Sequence, residues 1–147
     1  MTGVLVAALM VGKPATFAEK VVASARDQLT WGTTYDPAYV RLKYPGGDVP
    51  KSRGVCTDVV IRAFRAGGLD LQKAVHEDMK SAFKAYPQRY GLKKPDPNID
   101  HRRVPNLATF FRRTGRALKL PSDLKKSVWK AGDVVVWVLP NGRDHVG

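Results

Sequence analysis

The stretch Gly54-Val55-Cys56-Thr57-Asp58-Val59-Val60-Ile61-Arg62-Ala63-Phe64-Arg65-Ala66-Gly67-Gly68 sets the chain's one cysteine at the start of a helical pattern. Val55, Val59, Val60, Ala63 and Phe64 fall on one face, Arg62 and Arg65 lie off it, and the glycine pair supplies a stop. A helix from about Val55 to Ala66 is therefore expected, with Cys56 in its first turn. The N-terminus of a helix favours thiolate over thiol, so a nucleophilic cysteine is well placed there. A single cysteine makes no internal disulfide. That leaves a small buried hydrophobe, a metal ligand, an intermolecular pairing or a catalytic nucleophile.

Working outward, Thr16-Phe17-Ala18-Glu19 is a capping-box pattern, and Phe17, Val21, Val22, Ala25 and Leu29 continue it as a first helix. Thr30 to Arg53 is turn-rich, with Pro37, Pro45, Gly46, Gly47 and Pro50. Its three tyrosines, Tyr35, Tyr39 and Tyr44, make a functional segment a better reading than a disordered one. Beyond the cysteine helix, Asp70 caps a third helix in which Leu71, Val75, Met79 and Phe83 recur every fourth residue as far as Tyr86-Pro87. A short fourth helix spans about Leu107 to Thr114, closed by Gly115. The pattern then changes. Gly132-Asp133 turns into Val134-Val135-Val136-Trp137-Val138-Leu139, a β-branched run expected as a buried strand, and Pro140-Asn141-Gly142 returns the chain to His145-Val146-Gly147.

Helices followed by strands predict an α+β fold, a single domain over residues 19–147 with an antiparallel sheet at its C-terminal end. One strand and a stub cannot bury two faces, so the sheet is read as incomplete, with the domain's last strands missing. A chain stopping at Gly147 is expected to be marginally stable, with an exposed apolar strand edge.

The 147 residues suit one domain, and 44% apolar with 26% charged residues is a globular composition. Against 13 Asp and Glu stand 25 Lys and Arg, a formal net charge of +12, which attracts polyanions: nucleic acid, anionic lipid or an acidic wall polymer. The basic residues are spread along the chain and no nucleic-acid-binding motif is legible, so nucleic acid is the disfavoured partner. The apolar run Met1 to Gly12 is too short to span a bilayer, and residues 1–18 read as a signal segment directing the chain to the periplasm or outside the cell. A buried strand or helix turn is the competing reading. Cleavage after Ala18 would also break the capping box.

A cysteine nucleophile needs a base, usually histidine. His76 falls beside Glu77 and Asp78 on a face expected to be solvated. His101, in Ile99-Asp100-His101-Arg102-Arg103, suits anion binding, helix capping or a structural role. His145 sits on a strand, and rigid elements place catalytic groups best. Asp144 precedes it but alternation points its side chain to the opposite face. Asp58, within a turn of Cys56, favours the helix dipole, and its carboxylate would raise the thiol pKa unless it turns away. No CxxC or HxxxH spacing supports zinc, and no metal or other cofactor is expected.

A cysteine opening a helix, then Gly-Asp, an apolar strand, a turn and His-Val-Gly, resembles the NlpC-type papain-like cysteine peptidases. The segments Tyr44-Pro45-Gly46-Gly47-Asp48-Val49-Pro50, Gly54 to Ala63, Val75-His76-Glu77-Asp78-Met79 and Asn98-Ile99-Asp100-His101-Arg102-Arg103-Val104-Pro105-Asn106-Leu107 resemble an exported bacterial family. That family is catalogued as a domain of unknown function, number twelve eighty-seven. The resemblance implies a papain-like hydrolase of peptidoglycan peptides, with Cys56 as nucleophile and His145 as general base. It further implies Tyr35 or Tyr44 lining the site and a third polar residue on the strand after the histidine, where this chain has only Val146 and Gly147. His101 and Arg102 are then candidates to bind substrate, with Asp58 beside them. The rival reading from another class is a non-enzymatic basic module binding nucleic acid or anionic wall polymer.

Overall fold

The computed structural model describes residues 14–119, 123 and 129–147. The apolar run read as a signal segment lies outside the described residues up to Lys13.

Helix α1 (Phe17–Asp27) starts where the capping box predicts. The Thr16 hydroxyl accepts the Glu19 amide at 3.3 Å, and the Glu19 carboxylate accepts the Thr16 amide at 2.7 Å. The helix buries Val21, and Phe17 meets the Phe64 ring edge-on at 5.4 Å. A helical turn follows at Gln28–Thr30. Within the turn-rich segment, β1 (Thr34–Tyr35) pairs in parallel with β2 (Arg53–Gly54), a pairing the local pattern did not suggest.

Helix α2 (Cys56–Ala66) carries the core face, with Val60, Ile61, Ala63 and Phe64 buried. It ends at Gly67. Gly68 takes φ +100°, and the Leu69 amide returns to the Phe64 carbonyl at 3.0 Å, a closure that only a residue free to adopt positive φ makes without strain. Arg62, read as lying off the apolar face, is also buried. Its guanidinium bonds Asp48 at 2.8 Å and the Val49 carbonyl at 3.0 Å, so the 48–53 loop covers it. Helix α3 (Leu71–Ala82) is capped by Asp70 and buries Leu71, Val75 and Met79. Helix α4 (Val104–Arg113) begins three residues before the expected start, because Pro105 lies in its first turn, where a missing N–H costs nothing.

Strands β3 (Val136–Val138) and β4 (Asp144–Val146) form an antiparallel hairpin, so the fold is α+β. β4 packs against α2 and α4 and buries Val146 in the core, whereas β3 lies outboard of it. The expectation of a buried run is therefore corrected. Val136 and Trp137 are each 40% exposed and Val138 64%, because among the described residues β4 is the strand β3 pairs with. No described helix is long and apolar enough to cross a membrane.

Candidate active site

Cys56 is the first residue of α2, preceded by Val55 in extended conformation (φ −125°, ψ 173°). The strand pair β1–β2 delivers the chain to this point, and Asp58 fixes the turn by accepting the Val55 amide at 2.7 Å. The Asp58 amide reaches back to the Val55 carbonyl at 2.9 Å, while the amides of Cys56 and Thr57 make no hydrogen bond among the described residues. The unbonded Cys56 amide thus adjoins a half-buried thiol at the positive end of an 11-residue helix, while Thr57 is fully buried behind it. A carbonyl oxygen gaining charge would find a donor in the Cys56 amide.

The Asp58 carboxylate is turned into the protein, 4% exposed. Arg102 holds it bidentately, Nε to Oδ1 at 2.9 Å and Nη2 to Oδ2 at 3.0 Å, and Arg102 also donates to the Ala38 carbonyl at 3.1 Å. The Thr57 hydroxyl donates to the Arg102 carbonyl at 3.0 Å. Gly54 sits so close to this pair that a Cβ there would lie 3.0 Å from Asp58 Oδ2. The helix start carrying Cys56 is therefore built on a buried ion pair.

This placement corrects the reading of Asp58, His101 and Arg102 as residues lining a substrate site. All three are at least 93% buried. His101 lies on a helical turn (Asp100–Arg102) under α2, and loss of hydration holds its pKa down at about 4, so it is neutral. Its neighbour Asp100 is pushed the other way, to about 6, again by burial. These groups support the helix start and do not face solvent.

Of the two tyrosines, Tyr35 is brought to the site. It stands opposite Gly54 in the β1–β2 pair, two residues before Cys56, and its ring is 66% exposed. Tyr44 is not. Its ring meets His76 edge-on at 5.0 Å, and its loop is tied by Gly47 to Arg65 in the last turn of α2 and to Gln72 on α3. Nine residues of helix at about 1.5 Å each separate that end from Cys56. His76 itself is half-buried against Tyr44, not on a solvated face, and burial holds its pKa below the ordinary imidazole value.

His145 lies at the centre of β4, directly opposite Trp137, with ring centroids 4.8 Å apart. Alternation puts it on the sheet face opposite Val146 and Asp144. Asp144 is paired with Arg89, so it does not orient the imidazole. β4 packs on α2 and buries Val146 there, so the elements carrying Cys56 and His145 adjoin, with the imidazole on the hairpin's other face against Trp137. Both side chains are half-buried, and no hydrogen bond joins them among the described residues. No group of three or more His, Cys, Asp or Glu among the described residues could hold a metal. Sequence reading missed Arg62 and Arg89; the Asp and Arg signals gave no pairing because their partners are distant in the chain.

The family described as Domain of unknown function (DUF1287) matches residues 22–147. A relative, "Uncharacterized protein YijF" of Escherichia coli (strain K12), is 55% identical over 127 residues, which are 86% of this chain and 61% of that protein. The chain thus spans about three fifths of that relative's length. No solved structure matches. The resemblance carried by the four sequence blocks therefore holds at the level of the family, and the chain belongs to the DUF1287 family.

Proposed function

We propose that the chain forms the nucleophile-bearing part of a papain-like cysteine amidase or endopeptidase that cuts peptidoglycan stem peptides after export to the periplasm or cell exterior. One observation carries the reading. The chain's one cysteine opens a helix with its own amide unbonded, and the strand bearing His145 packs on that same helix. In this scheme His145 takes the Cys56 proton, and the thiolate forms a C–S bond to the substrate carbonyl while the Cys56 amide at the helix start holds the oxyanion. The imidazolium then protonates the leaving amine as the C–N bond breaks. Water, losing a proton to the imidazole, hydrolyses the thioester and restores the thiol. Tyr35, exposed beside the helix start, lines the approach.

Purified protein incubated with peptidoglycan should release peptides detectable by mass spectrometry. Cys56→Ala and His145→Ala should each abolish that release, and full activity in Cys56→Ala would sink the assignment. The net charge of +12 favours a second reading, a basic module that binds anionic wall polymer without chemistry. That reading expects polymer binding in Cys56→Ala with no peptide release from either protein.

A further inference from the structure

A cavity of about 620 Å³ lies at the far end of α2 from Cys56, between the start of α1, the ends of α2 and α4, and the approach to β3. Its walls are Phe17, Phe64, Leu69, Phe111, Leu118 and Trp129. Leu118 is 70% exposed and Phe17 and Trp129 each above 40%, so cavity and surface form one apolar patch. A pocket of this size and lining is the usual form of a small-molecule site, and exposed apolar patches of this kind mark binding surfaces.

Two cations stand at its edge. Arg112, in the last turn of α4, and Arg116, just past it, both line the cavity, and neither makes an ion pair among the described residues. Arg113, between them, turns onto Asp78 at 2.7 Å. The lining carboxylate, Asp133, is occupied with the Lys130 amide at 2.8 Å. The backbone amides of Gly67, Gly68, Leu69 and Val135 in the lining are bonded within the chain. A peptide entering here would find few partners for its own backbone, whereas a hydrocarbon needs none. A concave volume also suits one chain better than a bilayer face.

The geometry points to a binding site for a single long-chain fatty carboxylate, its tail among the Phe17, Phe64, Phe111 and Trp129 rings and its anionic head on Arg112 and Arg116. The site is independent of any chemistry at Cys56.

Isothermal titration of the 147-residue protein with dodecanoate below its micelle concentration tests this, with dodecanol and anionic vesicles as comparisons. One dodecanoate per protein should bind, at least tenfold more tightly than dodecanol, with a negative heat-capacity change from apolar burial. The surface double variant Arg112→Glu/Arg116→Glu should lower dodecanoate binding to the dodecanol level while its circular dichroism and melting temperature stay unchanged. Leu118→Asp should weaken both ligands, and Cys56→Ala should change neither. Several results overturn the site: no binding, equal affinity for acid and alcohol, unaltered binding in the double variant, or uptake of vesicles without uptake of the monomer. So does self-association that dodecanoate fails to displace.

Discussion

At the scale of single residues, the helix start depends on charges that water does not reach. Asp58 and Arg102 have side chains only 4% and 2% exposed, so each is the other's main compensation. Removing Arg102 alone strands a buried carboxylate. Arg102→Leu should therefore cost about 3–5 kcal/mol in urea unfolding, and adding Asp58→Asn should recover part of that loss. Equal stability in the single and double variants would show that Asp58 had found water or another partner. Beneath this pair, Asp100 and His101 are tuned in opposite directions. Asp100, with a folded pKa near 6 against an ordinary 3.8, is held up by burial, with the Asp96 backbone amide and Arg103 opposing. The folded state binds its proton more tightly, so its contribution to stability falls as pH rises from about 4 to 6. His101, near 4 against an ordinary 6.5, is held down by burial and Arg102, with Asp58 opposing. Here the unfolded state binds the proton more tightly, and stability rises from pH 4 to 6.5. Over the shared window the two slopes oppose. Asp100→Asn should leave a rise, and His101→Leu a fall, of about 2–3 kcal/mol relative to the wild type between pH 4 and 6.5. Chemical denaturation at four pH values reads this directly, and parallel curves for all three proteins would refute it.

At the scale of elements, the loop before α2 is ordered by side chains reaching into its backbone. Arg62 donates to Asp48 and to the carbonyls of Val49, Pro50 and Arg53, which places β2 for its pairing with β1. Arg62→Leu keeps the apolar bulk but removes every one of these bonds. It should cost about 3 kcal/mol, the range for leaving buried carbonyls and a carboxylate without partners. It should also speed hydrogen exchange at Thr34, whose amide bonds the Ser52 carbonyl at 2.9 Å, well before the amides within α2 exchange. Uniform acceleration would mean the loop does not open separately. This loop also marks where sequence reading stops. The bounds of α2 and the Asp70 cap of α3 were legible because periodicity, caps and glycine stops are local signals. The β1–β2 pair joins residues 19 positions apart, and the Asp58–Arg102 pair spans 44, so nothing in either segment alone announces them. The place of Cys56 was legible for the same reason the helix was. The sorting of Tyr35 toward it and Tyr44 away from it was not, because that depends on which loop end Arg65 and Gln72 hold.

At the scale of the whole molecule, charge governs encounter. Eight acidic side chains, Asp36, Asp48, Asp58, Asp70, Glu77, Asp78, Asp100 and Asp144, are each committed to a basic partner within the chain. An acid already neutralised by its neighbour does little to offset the remaining cations. The field felt at a distance is therefore that of the surplus: 25 basic against 13 acidic residues, spread along the chain. Such a field speeds approach to an extended polyanion without fixing a register, and it is screened beyond roughly 8–10 Å at physiological salt. Binding to anionic wall polymer, followed by co-sedimentation, should weaken by about tenfold or more between 50 and 200 mM salt, as expected where several cations release counterions. Cys56→Ala should follow the same salt curve as the wild type, because attraction at this range does not involve the thiol. Peptide release per bound protein should change far less with salt than binding does, since the Cys56 thiol and its own amide are local to the helix start. If release per bound protein fell as steeply as binding, the surface charge would be acting within the site itself and not only in bringing the polymer to it.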